Sequence, residues 1–138
     1  MRHGSCHCGA VRYTLSQSTQ ALFVCHCTEC RHQSASAFGI SVIVAQAALA
    51  VECGELRTWS RQADSGNTVD CTFCARCGTR LWHARRGAAD TLSVKGGTLD
   101  DPVDLTRAVH IWTARKLPGV VIPAGAVQFP GEPKAGAR

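Results

Sequence analysis

The sequence predicts a mainly β domain whose antiparallel sheets are stapled by metal, and three observations carry that expectation. Extended segments of four to seven residues, rich in β-branched and aromatic side chains, alternate with Gly, Asp, Asn and Ser punctuation. Seven of the nine cysteines fall into three local groups, "CHC" at Cys6 and Cys8, "CHCTEC" at Cys25, Cys27 and Cys30, and "CARC" at Cys74 and Cys77. A chain of 138 residues is the length of one ordinary domain with one core.

In chain order the extended segments are "AVRYTL" (10–15), "ALFVC" (21–25), "GISVIV" (39–44), "LRTWS" (56–60), "TVDCTFC" (68–74), "TRLWHA" (79–84), "TLSVKGG" (91–97) and "AVHIWT" (108–113). Two short helical pieces fit between them, one following Cys27 in "TECRHQSA" and one at "AQAALA", Ala45 to Ala50. From Pro118 the chain holds four of its five prolines, so a domain over 1–117 is expected to end in a loose Pro/Gly-rich tail over 118–138.

Several function classes fall away on composition. The longest apolar run, Phe38 to Val51, is too short to span a bilayer and is broken by polar residues. The N-terminus "MRHGSCHCG" has no apolar signal-peptide core, so a soluble cytoplasmic protein is expected. In a reducing cytoplasm an odd count of nine cysteines argues against a disulfide framework. Seven ligating thiolates and two zinc ions would bring the formal charge of +5 down to about +2. Lys and Arg are scattered, with Arg85–Arg86 and Arg115–Lys116 the adjacent basic pairs, which leaves no stripe for a phosphate backbone.

Metal ligation accounts for the cysteines better than pairing does. Cysteines two apart on a strand point the same way but rarely reach disulfide geometry. A tetrahedral zinc site takes four soft ligands, usually as two local pairs. Cys6, Cys8, Cys74 and Cys77 supply such a set and would tie the N-terminal strand to one some 70 residues later. The triplet Cys25, Cys27 and Cys30 is left with three ligands, and an open fourth position distinguishes a catalytic zinc from a structural one.

Two other readings of the late cysteines were weighed. Cys71, Cys74 and Cys77 begin an iron–sulfur spacing but lack its Cys-Pro ending, and a redox pair at Cys74 and Cys77 lacks the βαβ surroundings that would support it. Cys53 and Cys71 read as small buried hydrophobes. His7 and His26, each between two ligand cysteines, should face away from the metal. His110 reads equally as a buried histidine or a site residue, while Trp59, Trp82 and Trp112 read as core. Gly9 and Gly78 follow ligand cysteines where a turn calls for positive φ.

The motifs "GSCHCGAVRY", "CHCTECR" and "FCARCGTRLW", in this order, resemble the signature of the glutathione-dependent formaldehyde-activating enzyme family, which includes centromere protein V. The resemblance covers about residues 3 to 117. It implies the β-rich Mss4-like (β-tent) fold, a structural zinc on Cys6, Cys8, Cys74 and Cys77, and a second zinc on Cys25, Cys27 and Cys30. "HIWTARKLPG" resembles a late family segment at His110, Ile111 and Lys116, with Pro118 and Gly119 where a tryptophan often occurs.

The resemblance also implies a chemistry. A small thiol such as glutathione would complete the second zinc and be deprotonated there. The expected activity is that of a zinc-dependent carbon–sulfur lyase, an S-(hydroxymethyl)glutathione synthase-like enzyme acting on a glutathione adduct of formaldehyde. The alternative is a non-catalytic zinc module that binds a small thiol or a protein partner. Arg31 is the candidate for steering a substrate carboxylate, against its reading as a solvated arginine on a helix face.

The four-plus-three arrangement predicts two zinc equivalents per chain by metal analysis, with the triplet ion removed first by chelator. A visible iron–sulfur chromophore, or one equivalent in metal-replete protein, contradicts it.

Overall fold

A computed structural model describes residues 1–16, 18–87 and 90–134. The strands are β1 (Arg2–Ser5), β2 (Arg12–Leu15), β3 (Ala21–Cys25), β4 (Gly39–Ala45), β5 (Leu49–Cys53), β6 (Leu56–Gln62), β7 (Thr68–Cys74), β8 (Arg80–Arg85), β9 (Thr91–Lys95) and β10 (Val109–Ile111). The helix α1 (Thr28–Ser34) sits between β3 and β4. One sheet has three strands in the order β1-β2-β5, and the other has seven in the order β10-β3-β4-β9-β8-β7-β6. Every pairing is antiparallel except that of β10 with β3. The mainly β architecture expected from the short segments is therefore present.

Alternation makes the large sheet two-faced. On β4 and β9 the residues Val42, Val44, Leu92 and Val94 point to one side with Trp82, and there they meet Val11, Tyr13 and Leu15 of the small sheet. Val11, Tyr13, Val42, Val44 and Val94 are fully sealed, each contributing on the order of 1.5 kcal/mol or more by apolar burial. The Tyr13 ring meets Trp82 edge-on at 5.7 Å, and its hydroxyl pairs with Thr98 Oγ1 at 2.7 Å, so the polar tip is satisfied. The opposite face carries Phe23, Cys25, Ser41, Ser93 and His83, and it faces a cavity rather than a second sheet.

Several sequence expectations need correction. "AQAALA" is helical only as a single 3-10 turn at Gln46–Ala48, because Leu49–Cys53 leaves to pair with β2. The N-terminal Arg2–Ser5 is a strand paired with β2, absent from the expected segments. Trp82 is core, but Trp59 on the edge strand β6 is half exposed, and Trp112 is half-buried at the cavity. Cys71 is buried as expected whereas Cys53 is exposed, since β5 is the outer strand of its sheet. Of the expected tail, 135–138 lie outside the described residues. The stretch near 127–131 is docked, with His110 N donating to Val127 O at 2.9 Å and Phe129 N to His110 O at 2.9 Å. Open backbone groups on β10 recruit it, which proline content could not reveal.

Gly54 closes the turn between β5 and β6 at φ +101°, and a Cβ there would lie 2.4 Å from Ala10 O and 2.5 Å from Val11 Cα. Backbone cannot retreat as a flexible side chain can. Gly54→Ala should cost about 3 kcal/mol in urea unfolding, from strain and overpacking together. Gly66→Ala shares the positive φ but meets nothing within 4 Å and should cost less.

Candidate metal centres and the cavity beside them

The ligand atoms of Cys6, Cys8, Cys74 and Cys77 lie within 4.8 Å of one another, and those of Cys25, Cys27 and Cys30 do the same. These two groups could each hold a metal ion, and they divide the cysteines as the spacing suggested. No described side chain of metal-ligating type completes the triplet. Neither Cys53 nor Cys71 joins it.

The quartet is assembled by two turns. Gly9 and Gly78 adopt φ of +78° and +79° directly after ligand cysteines, as expected. Backbone N–H groups aim at the sulfurs: Val11 N donates to Cys6 Sγ at 3.2 Å, while Arg76 N and Cys77 N each reach Cys74 Sγ at 3.4 Å. Such donors stabilise thiolates and are the usual surroundings of metal-bound sulfur. Cys77 is pulled down to about 5, first by the Thr79 hydroxyl at 3.1 Å. Cys6 and Cys74 belong to the main core, so this centre ties the small sheet to the large one.

The triplet sits where β3 ends and α1 begins. Cys27 caps α1, its sulfur accepting from Cys30 N at 3.3 Å, and Glu29 in the first turn complements the helix dipole. Cys30 then lies one turn on, against Gly39, where a Cβ would approach 3.1 Å from Cys30 Cβ. Cys27 is pulled down to about 2 by hydrogen bonds from Cys25 and Cys30, while Cys25 is pushed up by its contacts with the other two and by burial. Three adjacent sulfurs thus hold charge on one atom. A divalent cation would let all three ionise, so this donor set fits a soft metal such as zinc.

His26, between two of these ligands, is fully buried and stacks on His110 with ring centroids 5.3 Å apart. Its Nε2 lies 3.0 Å from His110 Nδ1, and its backbone N donates to Ile111 O at 3.0 Å. Both side chains are pulled down by desolvation. His26 therefore turns away from the ligand sulfurs, as strand alternation required, and locks the triplet loop onto β10.

The triplet opens into a cavity of about 580 Å³ lined by Arg61, His83, Ser93 and Trp112, among others. Arg31 is not in its wall. The residue lies about 100° around α1 from Cys30, half-buried, with its Nε sealed and lacking a partner. Arg61 from β6 is in the wall, 3.6 Å from Glu29. Lys95 Nζ lies 2.6 Å from His83 Nδ1. Desolvation pulls His83 down to about 3, reinforced by the Lys95 charge, and desolvation also lowers Lys95 against the pull of the Cys30, Cys71 and Cys25 sulfurs. Sequence reasoning missed Arg61, His83 and Lys95 because each is brought to the triplet by strand register, with no local motif to mark it.

Residues 1–115 match the family described as "Glutathione-dependent formaldehyde-activating enzyme". Among solved structures, the chain resembles the crystal structure of a Rhodobacter sphaeroides protein, a structural-genomics target, at 27% identity and a TM-score of 0.59. That match covers 78% of this chain and 98% of the other. No curated protein matches.

The two centres should fail differently. Cys74→Ser breaks a buried staple between sheets and should give insoluble or molten protein, because structural metal binding contributes directly to folding. Cys30→Ser should keep the far- and near-UV circular dichroism of the wild type while losing one metal equivalent. Equal loss of folding in both contradicts the division.

Proposed function

The chain belongs to the glutathione-dependent formaldehyde-activating enzyme family, with its mainly β, Mss4-like fold. From that premise we propose that it is a zinc-dependent carbon–sulfur lyase or synthase, which makes or breaks the adduct of glutathione, or another small thiol, with an aldehyde such as formaldehyde. The observation that supports this most directly is a three-sulfur centre, with no fourth protein ligand among the described residues, in the wall of a cavity of about 580 Å³. That volume suits a tripeptide-sized ligand.

When bound at the triplet, zinc supplies a Lewis acid that favours the thiolate form of a thiol completing its coordination. The chain's own residues do the rest. The His26–His110 stack and the Cys27 cap hold the three sulfurs in place. Arg61, with part of its guanidinium free of Glu29, offers a carboxylate-binding group at the cavity wall. Trp112 and Phe129 pack beside the triplet and exclude water from one side. Cys6, Cys8, Cys74 and Cys77 would hold a second zinc with a structural role.

Residues 1–117 form the catalytic domain in this reading, and the segment after them completes the wall through Glu132 and Pro133. All nine cysteines are free of disulfides, in keeping with a cytoplasmic setting. No helix among the described residues is long and apolar enough to cross a membrane.

Cobalt in place of zinc tests the reading. Adding glutathione to the cobalt protein should shift the ligand-field bands and intensify sulfur-to-metal charge transfer, and Arg61→Ala should weaken the response about tenfold, as expected for one charge-assisted contact. Arg31→Ala should leave it in place. A wild-type spectrum indifferent to thiol removes the catalytic reading. A full thiol response without aldehyde turnover favours the thiol-binding module instead.

A further inference from the structure

The contact between Lys95 and His83 lies outside both cysteine groups. Lys95 ends β9 and pairs with Ser41 of β4, which itself pairs with Phe23 two residues before Cys25. His83 of β8 pairs with Ser93, so its ring stands on the same sheet face. His83 lines both the triplet cavity and a smaller neighbouring cleft of about 200 Å³, whereas Lys95 lines neither of these and reaches the imidazole from behind.

As an ammonium Lys95 has donors and no acceptor, so in its charged form it donates across 2.6 Å to a bare Nδ1. The imidazole is then neutral and carries its proton on Nε2. No described group hydrogen-bonds Nε2, and this nitrogen is not one of the sealed, unpartnered atoms, so it is free to donate into the space that His83 lines. Lys95 has no carboxylate partner among the described residues. Arg61 and Arg80 line the same small cleft as His83, so with Lys95 three cationic neighbours oppose a positive charge on the ring.

We infer that His83, held by Lys95 as the tautomer protonated on Nε2, is a catalytic hydrogen-bond donor to the oxygen of the aldehyde or of its thiol adduct in the triplet cavity. The inference deepens the proposed function and rests on that reading. In adduct formation a carbon–sulfur bond forms at the carbonyl carbon and the C=O π pair moves to oxygen. The Nε2–H stabilises that charge without transferring its proton, and the proton lost by the thiol returns to the oxygen from solvent. Cleavage is the reverse. A neutral imidazole serves because its proton stays in place, leaving a fixed dipole aimed at the developing charge. Lys95 is a positioning residue, acting through His83.

Nitrogen-15 NMR of the zinc-loaded protein, labelled in histidine, tests this directly. His83 should show a bare Nδ1 and a protonated Nε2, and the Nε2 proton resonance should move when glutathione and formaldehyde are added together but not with glutathione alone. Lys95→Met should mix the tautomers and Lys95→Arg should restore the single one. His83→Phe should lower kcat for adduct formation by about a hundredfold while the cobalt response to glutathione persists. A proton on Nδ1, an Nε2 resonance unmoved by the adduct, or an unchanged kcat in His83→Phe overturns the inference. Failure of the functional reading would be recognised separately, by a wild-type cobalt spectrum that ignores glutathione.

Discussion

Seven sulfur atoms drawn into two groups, with ligand atoms in each within 4.8 Å of one another, set the condition that the remainder of the fold satisfies. Thiolates at that separation repel, and without a cation all but some keep their protons. In the Cys25–Cys27–Cys30 group the mutual sulfur contacts pull Cys27 down and push Cys25 up. A bound metal ion would convert that repulsion into attraction, and because the sites do not exist in the unfolded chain, its binding free energy would become folding free energy.

The large sheet divides structure from chemistry. One face is dry, with Val42, Val44 and Val94 sealed against the small sheet and the quartet at its margin. The other face is lined with polar groups that a core would exclude, among them Ser41, Ser93 and His83. Partial desolvation on that face strengthens each polar contact, the Lys95–His83 hydrogen bond among them. The sealed and unpartnered Ser93 Oγ belongs to this face too.

Order at the triplet is borrowed from chain remote in sequence. A seven-residue helix is marginal by itself, and α1 is held by its sulfur cap and by the packing of Cys30 on Gly39. Behind the loop, His26 stacks on His110, while β10 binds the returning segment at Val127 and Phe129. Trp112 adopts a left-handed φ of 55° next to β10, and its indole N–H donates to Glu132 at 2.9 Å. The cavity wall is therefore built from both ends of the chain.

The sequence by itself marked most of the elements and the two cysteine groups. Strands such as Ala21–Cys25 and Thr68–Cys74 coincide with segments readable from β-branched and aromatic content, and "TECRHQSA" holds the helix. The four-plus-three division of cysteines was legible because ligands of one metal must be close, and local pairs achieve that with little chain. Tertiary structure alone decided which face each residue reaches. Arg31 adjoins a ligand yet points aside, since one residue on a helix turns the side chain about 100°. Arg61, His83 and Lys95 come together from separate strands by register, to which no local spacing is a guide. The docking of Phe129 beside the triplet likewise follows from backbone groups left open on β10, a vacancy that exists only once the sheet has formed.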